Sequence, residues 1–153
     1  MLGSDPGEWR RTIKALVAGL DPDVAVLIGR GNSTGHHPVR FTLEGSRETL
    51  YLYDDQVVAL PTDTAVRAVI QQEVESTLAL LRLKVQIIRT VQQAHPSRGV
   101  AIVGPLPCTG GEVGVEVRRG AGLPVKAARG RTYGEALQLL HQQVVTANPP
   151  PRH

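Results

Sequence analysis

The sequence predicts an α+β protein: two tandem β-β-β-α units with antiparallel sheets, joined through one long central helix and preceded by an extra N-terminal helix. Three observations predict it. The run Thr62 to His95 carries apolar residues at helical spacing without a break. Short apolar or alternating stretches, bounded by Gly, Pro, Asn or Asp, lie on both sides of that run. Their order, and some of their residues, recurs after it.

Glu8 to Leu20 places Trp9, Ile13, Leu16, Val17 and Leu20 on one helical face, with Asp5 or Pro6 opening the helix and Asp21-Pro22-Asp23 closing it. Val24 to Ile28 is an unbroken apolar run, the pattern of a central strand covered on both sides. The loop Gly29 to Pro38 follows. From Val39 to Glu44 the residues alternate: Val39, Phe41 and Leu43 point one way, Arg40, Thr42 and Glu44 the other. Gly45-Ser46 turns the chain into Glu48 to Tyr53, where Leu50 and Leu52 oppose Tyr51 and Tyr53. Asp54-Asp55 reads as a turn, and Val57 to Leu60 as a short strand leading into the long helix.

The long helix has marked ends. Pro61 cannot lie inside it, Thr62 or Asp63 can cap it, and Pro96 stops it. Asp63, Glu73 and Glu75 lie in its first half and Arg82, Lys84, Arg89 and His95 in its second, as the macrodipole favours. Its main stripe is Val66, Ile70, Val74, Leu78, Leu81, Val85, Ile88 and Val91, and near Leu80 a second face turns apolar through Leu83 and Ile87. Thirty-four residues would span ~50 Å. A compact domain of this size is only ~40 Å across. The helix is therefore expected to bend near Leu80 or to find a second subunit, and a homodimer touching Leu80, Leu83 or Ile87 is predicted.

Beyond the helix, Val100 to Val103 reads as a strand, Gly104 to Gly111 as a loop, and Val113, Val115 and Val117 as an alternating strand. Gly120 to Gly122 is a turn, Leu123 to Ala128 a strand, and Thr132 opens a last helix through Ala136, Leu137, Leu140 and Val144. The proline-rich tail 148–153 is expected to be flexible. The halves match in order: Val24-Ala25-Val26 with Val100-Ala101-Ile102, Thr34-Gly35 with Thr109-Gly110, Val39 and Phe41 with Val115 and Val117, and Ile70-Gln71-Gln72 with Leu140-His141-Gln142. Two pseudo-repeats, about 8–80 and 81–147, within one compact domain are the expectation.

In the second half, Gly111-Glu112-Val113 opens a strand, and Gly130-Arg131-Thr132-Tyr133 leads into Glu135-Ala136-Leu137. This stretch resembles a HicB-type antitoxin domain, which implies a β-β-β-α core related to the double-stranded-RNA-binding fold. The companion strand has Gly120-Ala121-Gly122-Leu123-Pro124 where that family has an aromatic and proline-rich segment. The resemblance bears on fold and carries no function here. The order helix, strands, long helix, strands, helix also looks like that of dimeric secretion chaperones, which are typically acidic.

With a single cysteine, Cys108, no intrachain disulfide can form. No run of about 18 apolar residues is present and the first residues lack a basic-then-apolar leader, so a cytoplasmic protein without a membrane span is expected. The net charge of +3 conceals an asymmetry. Residues 1–79 carry seven Lys or Arg against eleven Asp or Glu, and residues 80–153 carry ten against three. An anionic partner for the second half, or complementary contact between halves or subunits, follows.

Arg118, Arg119, Lys126, Arg129 and Arg131 form the main candidate site, with two of the arginines beside a helix N-terminus suited to phosphate. Arg30, Arg40, His36 and His37 would make the equivalent surface in the first half, and Tyr51 and Tyr53 could stack on bases. The competing reading is a solvated basic face with tyrosines packed under a helix. The loop Gly29 to Gly35 follows a strand as phosphate loops do, but it lacks the Gly-Lys-Ser/Thr ending and leads into a strand. Cys108 aligns with Ser33 in the repeat and would need His36 or His37 as its base, with no acid placed to orient it. Adjacent His36 and His37 point apart on an extended chain, which disfavours a metal site. The prediction is thus a non-catalytic protein with no cofactor or metal that binds DNA or RNA backbone. A dimeric protein–protein adaptor is the alternative.

Overall fold

A computed structural model describes residues 7–31, 33–94, 99–120 and 124–147. The helix opening at Asp5 or Pro6, the stop at His95-Pro96, the turn residues 121–122 and the tail 148–153 lie outside the described residues. The order is α1 (Glu8–Leu20), β1 (Ala25–Ile28), β2 (His36–Leu43), β3 (Ser46–Tyr53), α2 (Asp54–Ala59), α3 (Thr64–Ala94), β4 (Val100–Pro107), β5 (Val113–Arg119), β6 (Pro124–Gly130) and α4 (Tyr133–Ala147). The protein is mixed α+β, with two three-stranded antiparallel sheets, β1-β2-β3 and β4-β5-β6, and one long central helix. The chain divides into two compact units, Met1–Leu81 and Arg82–His153.

In the first unit the alternation of β2 and β3 decides which face is core. Val39, Phe41 and Leu43 of β2 are buried together with Leu52 of β3, and α1 contributes Trp9, Ile13 and Val17 to the buried set. The β2–β3 turn is Glu44-Gly45, one residue earlier than Gly45-Ser46, because both residues take positive φ (49° and 83°) and Ser46 already pairs with Leu43. Such a two-residue turn matches the twist of the strands it joins.

Two expectations fail here. The apolar run Val24 to Ile28 is not a central strand: β1 pairs only with β2, and Leu27 is 63% exposed. Hydrophobicity alone cannot separate a strand covered twice from an edge strand whose outward residue stays wet. Val57 to Leu60 is not a strand either, since α2 runs Asp54–Ala59. Polar side chains at its start take up backbone donors: the Tyr53 N–H donates to Gln56 Oε1 (2.9 Å) and the Gln56 N–H to Asp55 Oδ1 (3.0 Å). With those groups satisfied the helical turn closes, burying Val57 and leaving Val58 outside. The observed order is therefore β-β-β-α-α-β-β-β-α.

Helix α3 starts where the sequence places it. Asp63 Oδ1 accepts the N–H groups of Ala65 (2.9 Å) and Val66 (3.2 Å), and Arg67 donates back to the carbonyl of Pro61 (2.6 Å). Ile70, Val74, Leu78 and Leu81 are buried in the first unit's stretch of the helix, and Val85, Ile87 and Val91 in the second's. One stripe thus continues to Val85, and the buried side changes between Val85 and Ile87, five residues or more beyond Leu80. The helix runs without interruption from Thr64 to Ala94.

In the second unit β5 is the central strand, and Val115 and Val117 are buried with Ala128 of β6. Helix α4 lies against β5 and β6 and buries Ala136, Leu137, Leu140 and Val144. Its start is capped by Thr132, whose Oγ1 accepts the Glu135 N–H at 3.1 Å. Gly130 permits that approach, since a Cβ there would sit 2.7 Å from the Ala136 nitrogen. Strand β4 runs on to Pro107, into the stretch expected to be loop, with a register shift between Val103 and Leu106. Residues 100–147 thus have the β-β-β-α order that the second half suggested.

Candidate nucleic-acid interface

The register of the first sheet fixes what its outward face presents. Leu27, Arg40 and Thr49 form one row across the three strands, and Ala25, Thr42 and Arg47 another. Toward the other end, Pro38 stands beside Tyr51 and His36 beside Tyr53. Tyr51 and Tyr53 are 56% and 54% exposed, so they are not packed under a helix. The His36 ring meets both edge-on, with centroids 4.7 Å from Tyr53 and 6.4 Å from Tyr51. Thr34 Oγ1 lies 3.2 Å from His36 Nδ1 and ties the preceding loop to this ring. Arg40 has Leu27 and Thr49 as cross-strand neighbours, with no carboxylate beside it in its row. Glu48, the one acidic residue of β3, has the opposite parity and faces inward.

Behind this surface a second set of contacts holds the strand ends. His37 points to the inner face, where its ring meets Trp9 edge-on at 5.4 Å and Nε2 lies 2.5 Å from Asp54 Oδ1. Its Nδ1 is buried without a hydrogen-bond partner among the described residues. The tautomer with hydrogen on Nε2 fits both facts, because it donates to Asp54 and leaves only a lone pair unmatched at Nδ1. The Asp54 N–H donates to the Gly35 carbonyl at 3.0 Å, and the backbone of Gly31 crosses directly over the His37 ring. The glycine-rich loop is thus a clasp over the inner histidine, and it leads into β2.

The residues predicted from sequence separate. Arg40, Tyr51 and Tyr53 share the outward face with His36, whereas His37 faces inward; Arg30 is exposed in the loop after β1. In the second unit Arg118 and Arg129 share one face of the sheet by strand parity, but Arg118 is engaged by Glu116 through Nε (3.0 Å) and Nη2 (2.8 Å). Arg119 has the opposite parity to Arg118. Lys126 lines an open groove of about 500 Å³ with Leu139, Gln142, Gln143 and Thr146 of α4. Arg131 is exposed just before α4. The five cations therefore do not form one patch. Of the expected dimer residues, Ile87 is fully buried within the chain and Leu80 and Leu83 are half-buried. Cys108 is half-buried against Gly114 in the second unit, and the two histidines belong to the first.

Sequence reasoning left out Leu27, Pro38 and Arg47. The signal was available as parity: once Tyr51 and Tyr53 face outward, Arg47 two turns of the pleat earlier must too. Among the described residues no helix is long and apolar enough to cross a membrane, and no group of three His, Cys, Asp or Glu could hold a metal ion. Comparison with protein-family models, with curated proteins and with solved structures gives no match.

Proposed function

We propose that the protein binds single-stranded nucleic acid without catalysing a reaction, and that the outward face of the first sheet carries the bases. The observation that supports this is the cluster of the exposed Tyr51 and Tyr53 with the half-buried His36, beside Arg40 and Arg47. Residues two apart on a strand are ~7 Å apart, a spacing at which each tyrosine can take one base of an extended strand. Base–aromatic stacking tolerates any sequence, and guanidinium groups farther along the same face suit the backbone. The cations of the second unit, Arg119, Lys126, Arg129 and Arg131, add a positive field. The two units share the order β-β-β-α, and the central strand of each buries matching positions (Val39 and Phe41, Val115 and Val117), which supports reading them as copies.

The test is a fluorescence-anisotropy titration with labelled single-stranded and duplex oligonucleotides. Single strands are expected to bind more tightly, and Tyr51→Ala or Tyr53→Ala to weaken them by about 5- to 150-fold, the equivalent of ~1–3 kcal/mol per stacked base. Equal binding of both tyrosine variants and the parent chain would overturn the reading.

A further inference from the structure

The two sheets can be laid on each other by register alone. The 76 residues that separate Ala25 from Ala101 carry the pairs Ala25–Thr42, Val26–Phe41 and Leu27–Arg40 onto Ala101–Arg118, Ile102–Val117 and Val103–Glu116. Gly35 (φ 79°) and Gly111 (φ 75°) stand the same number of residues apart, and both take the left-handed conformation shortly before the central strand. The second hairpin connection is two residues longer. Pro38–Tyr51 and Val39–Leu50 therefore fall on Gly114–Arg129 and Val115–Ala128.

Arg129 thus has the place of Tyr51, and Arg131, one residue past β6, has the place of Tyr53. Ala128 and Gly130 are buried, whereas Ala127, Arg129 and Arg131 are exposed. Arg129 points away from the buried Val115 and Val117 and from α4, as Tyr51 points away from Val39 and Phe41. Even the cover beside it corresponds. A Cβ on Gly114 would meet Cys108 Sγ at 2.9 Å, so the sulfur fills the place that the Pro38 side chain has in the first sheet. Among the described residues Arg129 and Arg131 have no hydrogen bond or ion pair, whereas Arg118 is engaged by Glu116.

We infer that Arg129 and Arg131 form a second base-stacking subsite for single-stranded nucleic acid, carried by the second unit. Guanidinium planes stack with bases as tyrosine rings do. Residues two apart on the strand repeat the ~7 Å spacing of the two tyrosines. Charge alone does not account for the pair. The exposed Glu112 stands where His36 stands in the first sheet, and a carboxylate there disfavours a phosphate beside Arg131. What the two places share is a flat π surface at the end of the third strand. The inference rests on the nucleic-acid reading of the first face and adds a second place to it.

The second place is read with the first removed. In Tyr51→Ala/Tyr53→Ala, fluorescence anisotropy with a short labelled oligothymidylate should show residual binding. Adding Arg129→Lys and Arg131→Lys keeps the charge and removes the planes, and should weaken that binding about 5-fold or more. Adding Arg129→Tyr and Arg131→Tyr instead should keep it with a shallower salt dependence, because planes remain and two charges are lost. Residual binding that survives the lysine pair is an effect of charge and overturns the inference. So does its loss in the tyrosine pair, or its absence from Tyr51→Ala/Tyr53→Ala at the outset. The first face fails separately, if Tyr51→Ala/Tyr53→Ala binds as the parent chain does. All four positions are exposed, so the fold should hold, which circular dichroism checks. If either arginine replacement disturbs it, Arg129→Ala with Arg131→Ala decides: residual binding that survives this pair overturns the inference, and its loss supports it.

Discussion

At the scale of single residues, the first unit turns on what surrounds His37. Its ring is held from three sides: by Trp9, by Asp54 and by the backbone of Gly31. A Cβ on Gly31 would lie 2.7 Å from His37 Cε1 and 3.0 Å from Nδ1, closer than such atoms approach. The ring cannot swing away without giving up Asp54 or Trp9. Gly31→Ala is therefore expected to destabilise the protein by ~1–3 kcal/mol, the usual cost of overpacking. Gly19 makes a direct contrast: it lies in α1 with open space around its missing side chain. Gly19→Ala should stabilise by about 0.5 kcal/mol through helix propensity. Urea unfolding of the two variants against the parent chain checks both, and a destabilised Gly19→Ala would contradict the helix placement.

At the scale of elements, the start of α3 can be tested by itself. Asp63 accepts two backbone N–H groups of the first turn. Asp63→Ala should cost ~0.5–2 kcal/mol, and Asp63→Asn much less, because the amide oxygen can still accept. Thermal unfolding followed by circular dichroism distinguishes them. This cap was legible in the sequence, as were α1, the alternation of β2 and β3, and the capped start of α4, since each depends on neighbours within four or so residues. The position of β1 at an edge was not, because Val24 to Ile28 looks the same whether one or two strands flank it. Helix α2 was missed for a related reason. Its apolar pair Val57-Val58 suits a strand, and side-chain capping by Asp55 and Gln56 outweighed that preference. The basic cluster was misleading in a different way. Closeness in sequence put Arg118 and Arg119 together, and strand parity and Glu116 separate them.

At the scale of the whole molecule, charge and aromatic surface lie in different units. The first unit carries seven cations against eleven anions and the exposed tyrosines; the second carries ten against three. A net negative unit need not repel a strand laid on a face that is locally basic. Arg40 and Arg47 are the only charged residues with outward parity on β2 and β3, and at ordinary salt the screening length is ~8–10 Å. Salt dependence then measures how much of the protein is used. A single strand held by these two arginines alone should lose affinity with a slope of about −1.4 in log K against log salt, from about −0.7 per phosphate. Engagement of Arg119, Lys126, Arg129 and Arg131 as well would steepen the slope to about −4. Arg40→Ala should reduce its magnitude by about 0.7 in either case, and Arg129→Ala only in the second. A slope near zero would mean that the phosphates are not held at all, and that the tyrosine face serves another ligand.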